Sequence, residues 1–131
     1  MIKERISAII LENKKVLLVT GYDEKFYWTP GGKLNSNESH EQTLKRELYE
    51  ELLIEPISIK HYIDYTTINE ISNEKQIVRC YIVSYKGNLI PQKEITKIFW
   101  FSKENFKNKN PKISEGIKKN LIPRLIKDKF L

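Results

Sequence analysis

The sequence contains a single cysteine, Cys80, and only two histidines, His40 and His61, which stand apart from each other. One cysteine excludes an internal disulfide, and no cysteine and histidine residues have the spacing of a zinc site. Long apolar runs are also missing, since no stretch approaches the roughly 20 residues that span a bilayer. We therefore expect a cytoplasmic protein from a reducing compartment, with no membrane partner.

Glycine and proline are sparse, at five residues each, in a chain of 131 residues that is 40% hydrophobic and 31% charged. This composition is typical of globular proteins and unlike that of disordered or fibrous ones. A length of this order suits one compact domain with a core of its own. We therefore predict a single domain over residues 1–131, acting as a monomer or a homodimer.

The formal net charge is +6. Basic side chains that neutralise phosphates supply most non-specific affinity for nucleic acids, so this excess is compatible with a nucleic-acid surface. However, lysine is abundant along the whole chain, and no basic stripe interleaved with aromatic residues stands out. We therefore interpret the charge as a compositional bias that also steers a small polyanionic substrate inward, and nucleic acid is the less favoured partner.

Apolar and β-branched patterns predict strands, and a leucine repeat at every fourth position predicts a helix whose capping box is Ser39 and Gln42. The predicted elements are strands at 5–12 and 15–20 joined as a hairpin at Asn13-Lys14, a loop at 21–37, a helix from Ser39 to about Leu53, strands at 57–67, 76–86 and 95–101, and a helix at 114–127. This order predicts an α/β or α+β fold, with a mixed β-sheet and helices packed on its faces.

Three carboxylates, Glu47, Glu50 and Glu51, fall within an arc of roughly 100° on the predicted helix. Like charges so close destabilise a helix unless a partner offsets them. A divalent cation such as Mg²⁺ or Mn²⁺, which prefers oxygen ligands, is one interpretation, and a solvated acidic face is the other. The turn Pro30-Gly31-Gly32 just before the helix favours a ligand site, because glycine lets backbone approach a ligand closely. Arg46 has two candidate partners, Glu50 on the helix and Glu38 across the loop.

These residues resemble the Nudix box of MutT-like hydrolases: Gly, five residues, Glu, seven residues, Arg-Glu, an aliphatic residue, any residue, Glu-Glu, any residue, Gly and an aliphatic residue. The box spans residues 32–54, and its positions are filled by Gly32, Glu38, Arg46, Glu47, Leu48, Glu50, Glu51 and Ile54. One position departs, because Leu53 stands where the family has glycine. The resemblance implies a Nudix-like α/β/α sandwich with a mixed β-sheet.

The resemblance also implies roles for the residues of the box. Glu50 and Glu51 would bind Mg²⁺, or alternatively Mn²⁺, Glu47 would bind the metal or help to activate water, and the carbonyl of Gly32 would complete the metal site. Arg46 would belong to the catalytic set and, with Glu38, would orient the helix. The family often uses a further acid outside the box, for which the candidates are Glu94 and, as rivals, Glu70 and Glu74.

The resemblance implies hydrolysis of a phosphoanhydride bond in a nucleoside diphosphate-linked substrate. The first hypothesis is a (d)NTP pyrophosphohydrolase that sanitises the nucleotide pool, with Tyr27 and Trp28 either stacking on the base or packing beneath the loop. The second is hydrolysis of ADP-ribose, dinucleoside polyphosphates or a capped RNA. The third, a non-catalytic nucleotide sensor or nucleic-acid-binding module, is disfavoured because all three box glutamates are kept.

Overall fold

The computed structural model describes residues 2–131 and contains seven strands, one long helix, α1, and several short helical segments. In chain order the elements are β1 Lys3–Ile9, β2 Leu11–Glu12, β3 Lys15–Gly21, β4 Gly31–Lys33, α1 His40–Leu52, β5 Glu55–Ile68, β6 Lys75–Lys86, β7 Ile95–Ser102, α2 Lys103–Asn108, a π-helical turn Ile117–Leu121 and α3 Ile122–Lys127.

The strands form a four-stranded sheet in the order β4-β1-β6-β5 and a three-stranded sheet in the order β2-β3-β7. Strands β1 and β6 are parallel, whereas β1–β4 and β5–β6 are antiparallel, so the larger sheet is mixed as predicted. All the pairings in the smaller sheet are antiparallel.

Successive residues of β3 point into two different apolar cores. Leu17 and Val19 belong to a core that includes three leucines of α1, while Val16 and Leu18 belong to a core that includes the C-terminal helical segment. Because side chains alternate across a strand, the strands lie between the two helical layers. The fold is therefore an α/β/α sandwich, as the sequence predicts.

The predicted N-terminal hairpin is correct only at its tip. Leu11 and Glu12 pair with Val16 and Lys15 around Asn13-Lys14, whose φ angles are 50° and 62°. The preceding strand β1 instead belongs to the four-stranded sheet, where it lies between β4 and β6. Its residues 6–9 are all buried, which suits an interior strand with a neighbour at each edge.

Helix α1 starts and ends close to the predicted positions. The Ser39 side chain accepts a hydrogen bond from the backbone N–H of Gln42, whose side chain accepts one from the Ser39 N–H, so the predicted capping box is confirmed. At the other end, Leu53 adopts the left-handed conformation, with φ 56° and ψ 35°. The residue at the position of the family's glycine thus has the backbone that glycine adopts most easily.

Strands β5, β6 and β7 confirm the predicted strands to within two residues at each end. Two short elements were not predicted: β4, inside the predicted loop, and α2, which begins after the capping residue Ser102. The predicted C-terminal helix is helical but contains a π-helical turn. Within the part of the chain that the structure describes, no helix is long and apolar enough to cross a membrane.

Candidate functional site

The N-terminal backbone of β4 lies against the acidic side of α1. The Glu51 side chain, on a residue that is only 5% exposed, accepts a hydrogen bond of 3.0 Å from the backbone N–H of Gly31. One helical turn earlier, the Glu47 carboxylate lies over Gly32, where an added Cβ would be 2.4 Å from the Glu47 Cδ. Glycine is therefore required at position 32 for this approach, and Gly31 has a φ of 138°.

Arg46 joins the loop to the helix by a two-pronged ion pair with Glu38. Its Nε donates to one Glu38 oxygen at 2.7 Å and its Nη2 to the other at 2.9 Å. These bonds lower the pKa of Glu38 to about 2 and raise the pKa of Arg46. Arg46 also donates to Glu47 and lies 3.7 Å from a Glu50 oxygen, so both of its predicted partners are present.

Burial sets the proton affinity of the two innermost carboxylates. Loss of solvent raises the pKa of Glu51 to about 7, although the Gly31 N–H and the charge of Arg5 oppose the shift. Burial also raises the pKa of Glu47, against the opposing effect of Arg46. The charge of Glu50 raises the pKa of Glu47, and the charge of Glu47 raises the pKa of Glu51. A cation placed between these carboxylates would offset that repulsion.

No three histidine, cysteine, aspartate or glutamate side chains within residues 2–131 are gathered into a ready-made metal site. The Glu47 and Glu50 carboxylates instead both form ion pairs with Arg46. The donor chemistry nevertheless fits Mg²⁺ or Mn²⁺, because the available ligands are carboxylate oxygens and a backbone carbonyl. Glu50, with 38% of its side chain exposed, is the freest of the three to turn towards an ion.

The three acids proposed outside the box have different surroundings. Glu94, just before β7, is exposed, and its charge contributes to the raised pKa of Glu51. Glu70 instead accepts a hydrogen bond of 2.6 Å from the backbone N–H of Glu115, and Glu74 pairs with Lys3 at 2.9 Å. Of these three acids, Glu94 is the one coupled to the buried carboxylate.

A cavity of about 120 Å³ opens on the other side of β1, between the 26–29 segment, β5, β6 and the start of the C-terminal helical segment. Its lining includes Arg5, Phe26, Trp28, Tyr65, Thr67 and Gln76, and we call it the aromatic cavity. Trp28 therefore lies where a substrate ring could stack. Tyr27 does not line this cavity, because its ring packs against Phe99 with the centroids 5.8 Å apart.

Arg5 is the residue of this site that the sequence analysis missed. Its guanidinium lines the cavity and donates to the carbonyl of Thr29 at 2.7 Å, while its charge lowers the pKa of both Glu47 and Glu51. It thus lies between the aromatic cavity and the carboxylates. Arg5 follows the charged residues Lys3 and Glu4, so nothing in the sequence distinguished it from an ordinary surface cation.

The chain resembles known proteins in sequence and in fold. The family model of the NUDIX domain matches residues 1–125. The solution structure of the E. coli ORF135 protein is 27% identical, with a TM-score of 0.67 over 81% of this chain and 78% of that protein. No curated protein matches the sequence at a significant level.

Two further structures support the fold at lower identity. The MutT protein from Methanosarcina mazei Go1 has a TM-score of 0.80 at 19% identity, over 97% of this chain and 94% of that one. The MutT NUDIX hydrolase from Burkholderia pseudomallei has a TM-score of 0.75 at 18% identity, over 88% of this chain and 92% of that one. The chain belongs to the Nudix hydrolase family, whose enzymes act on nucleoside diphosphate-linked substrates.

Proposed function

We propose that this protein is a Mg²⁺-dependent pyrophosphohydrolase, with Mn²⁺ as a possible substitute, and that its substrate is a ribo- or deoxyribonucleoside triphosphate. In this proposal, residues 1–131 act as one domain, and the protein removes unwanted nucleotides from the pool. The observation that carries it is the buried Glu51 carboxylate, held by the Gly31 N–H beside Glu47 and Glu50. Burying a carboxylate charge costs folding free energy unless the charge is paired or binds a metal ion.

In this proposal the residues of the box have two roles, metal binding and positioning of the helix. Glu47, Glu50, Glu51 and the carbonyl of Gly32 hold the cation, and Arg46 and Glu38 keep the helix in place. When bound, the cation neutralises charge on the phosphates and makes water a better nucleophile.

The chemical step itself is a displacement at phosphorus. A water oxygen bonds to phosphorus as the bridging oxygen departs with the leaving group, which is pyrophosphate after attack at the α-phosphorus or the nucleoside monophosphate after attack at the β-phosphorus. The water proton passes to a carboxylate oxygen. Glu47 is the proposed acceptor, because burial raises its pKa. Glu94 is the proposed additional acid, because it is coupled to Glu51.

The base of the substrate is proposed to stack on Trp28 in the cavity. The phosphates of the substrate would then lie next to Arg5 and extend to the carboxylates. Tyr27, the other predicted stacking residue, packs against Phe99 instead, and its proposed role is to hold the neighbouring Trp28 in position. The cavity, at about 120 Å³, is small beside the roughly 300 to 1,000 Å³ of drug-sized ligand pockets. This supports a single base in the cavity, as a nucleoside triphosphate has, and leaves no room there for the second base of a dinucleoside polyphosphate.

The roles of the carboxylates are tested by comparing Glu51→Gln with Glu55→Gln, which makes the same change at an exposed glutamate outside the site. We expect Glu51→Gln to lower kcat by at least about 100-fold with Mg²⁺, since even residues that only support metal ligands cost 10–100-fold. Glu55→Gln should keep wild-type kcat. Unchanged kcat in a folded Glu51→Gln protein would contradict the proposed site.

A further inference from the structure

The excess positive charge of the chain is confined to its C-terminal part. Residues 103–131 contain nine lysines and arginines and three acidic residues, whereas residues 1–102 contain fourteen of each kind. The whole net charge of +6 therefore belongs to the last 29 residues. Such an asymmetry points to a polyanionic partner for this part of the chain rather than to a bias spread over the whole sequence.

An apolar groove of about 200 Å³ lies within this basic part, between α2 and the start of the C-terminal helical segment. Its apolar lining consists of Phe101, Phe106, Pro111 and Ile113. We call this feature the basic groove, because three exposed lysines also line it: Lys109, Lys112 and Lys118.

The lysines of the basic groove are largely available to a ligand. Lys109 and Lys112 form no ion pair with any residue in the described range 2–131. Lys118 lies 3.9 Å from Glu115, an acid that also lines the groove and lies 3.6 Å from Lys119. Three cations therefore face one carboxylate, which is itself shared between two lysines.

The volume of the basic groove limits the kind of polyanion that it can bind. A space of about 200 Å³ is smaller than the usual pocket for a drug-sized ligand, so it suits one planar group rather than a helix or a lipid chain. Single-stranded nucleic acids offer such groups, because their bases stack on aromatic side chains while their phosphates contact lysines. The half-buried ring of Phe106 supplies the aromatic surface.

We propose that the basic groove binds single-stranded nucleic acid, with one base against Phe106 and the neighbouring phosphates on Lys109, Lys112 and Lys118. The site adjoins the candidate active site along the chain, since Ser114, Gly116 and Ile117 line the aromatic cavity while Ile113 and Glu115 line the groove. Binding here needs neither the metal nor the proposed hydrolysis.

The test is the fluorescence anisotropy of a short labelled oligoadenylate titrated with the 131-residue protein in chelator, between about 50 and 200 mM salt. A variant with Lys109→Gln, Lys112→Gln and Lys118→Gln is expected to bind at least 10-fold more weakly at the low salt. The slope of log affinity against log salt should fall by about 2, the value for three lost contacts to a single strand. Phe106→Leu should also weaken binding, while keeping an apolar side chain in the groove.

The matched control is Lys45→Gln, Lys60→Gln and Lys86→Gln, which removes the same charge from exposed positions outside the C-terminal part. It should bind the oligonucleotide with near wild-type affinity. The proposal is overturned if the wild-type protein does not bind, if the two triple variants lose equal affinity, or if Phe106→Leu binds like wild type. It is also overturned if polyglutamate or phosphatidylserine vesicles bind the groove as tightly as the oligonucleotide does.

Discussion

The Glu51 carboxylate is buried beside two other glutamates and has one backbone N–H as its hydrogen-bond donor. This burial makes its charged form unfavourable in the metal-free protein. Its pKa in the folded protein, about 7, lies above the ordinary value of 4.5, so the folded state binds the proton more tightly than the unfolded state does. Its ionisation therefore costs stability as pH rises from about 5 through 7.

This linkage predicts that Glu51→Gln stabilises the metal-free protein at alkaline pH. Glutamine keeps an acceptor for the Gly31 N–H but carries no charge, so above pH 7 the gain in unfolding free energy should reach up to about 3 kcal/mol. Near pH 4 the variant and the wild type should differ little. Urea unfolding in chelator at both pH values measures the effect, and equal stability at pH 8 would show that the Glu51 charge is not destabilising.

Arg5 supports a second prediction at the residue scale, because it lies between the aromatic cavity and the carboxylates. Charge-assisted hydrogen bonds are worth about 1.5 to 3 kcal/mol, so Arg5→Gln should lower kcat/KM for a nucleoside triphosphate by about 10- to 100-fold. Loss of the positive charge should also raise the pKa of Glu51 further and move the acid limb of the pH–rate profile to higher pH.

The matched control for Arg5→Gln is Arg79→Gln, which removes an arginine from the same sheet. Arg79 pairs with Glu4 and Asp64, each at 2.9 Å, and does not line the aromatic cavity. Its variant should keep the wild-type kcat/KM and pH profile. If both variants lost kcat/KM equally, the effect would belong to the sheet and not to substrate contact by Arg5.

At the scale of single elements, the C-terminus of α1 combines a leucine with a backbone that L-residues avoid. Leu53 has a φ of 56° and is 37% exposed, so its side chain adds little burial to offset the strain. We expect Leu53→Gly to be more stable than Leu53→Ala by about 1 kcal/mol, because alanine keeps the left-handed strain and glycine relieves it.

The sign of this difference is diagnostic. Inside a helix alanine is more stable than glycine by about 1 kcal/mol, so the opposite order at position 53 would reflect the left-handed conformation alone. Thermal or urea unfolding of the two variants at the same pH measures it. An alanine variant as stable as the glycine variant, or more so, would show that the helix ends differently in solution.

The elements also show where sequence patterns stop being informative. The capping box at Ser39 and the strands β5 to β7 depend on local periodicity, and they were predicted closely. The pairing of β1 with β4 and β6 depends on partners far along the chain, so the predicted hairpin was wrong beyond its tip. Strand β4 and helix α2 have three and six residues, too few for a periodic pattern to be recognised.

Some features of the candidate site were likewise predicted from local sequence patterns, whereas others depend on residues far along the chain. Helical period alone predicted that Glu47, Glu50 and Glu51 share a face, and the spacing of the box predicted the Arg46–Glu38 pair. By contrast, the Gly31 N–H bond to Glu51 and the position of Arg5 depend on the register of β1 against β4. The ring of Tyr27 packs against Phe99 from β7, a contact that no local pattern indicates.

At the scale of the whole molecule, the sandwich places the acidic side of α1 and the aromatic cavity near one strand, β1. Arg5 of β1 contributes to the cavity and to the electrostatics of the carboxylates, so a substrate could contact both parts at once. The basic groove lies beside the cavity along the C-terminal segment. The position of the aromatic cavity next to the carboxylates favours a substrate with a base at one end and a polyphosphate at the other.

The central claim is metal-dependent cleavage of a phosphoanhydride bond. The most direct measurement is the release of phosphate and pyrophosphate from a panel of nucleoside triphosphates, oxidised deoxynucleotides, ADP-ribose and dinucleoside polyphosphates, with Mg²⁺, with Mn²⁺ and with chelator. We predict turnover of the nucleoside triphosphates that requires a cation and stops in chelator. A folded protein that releases no product from any substrate with either cation would contradict the account and favour a nucleotide sensor.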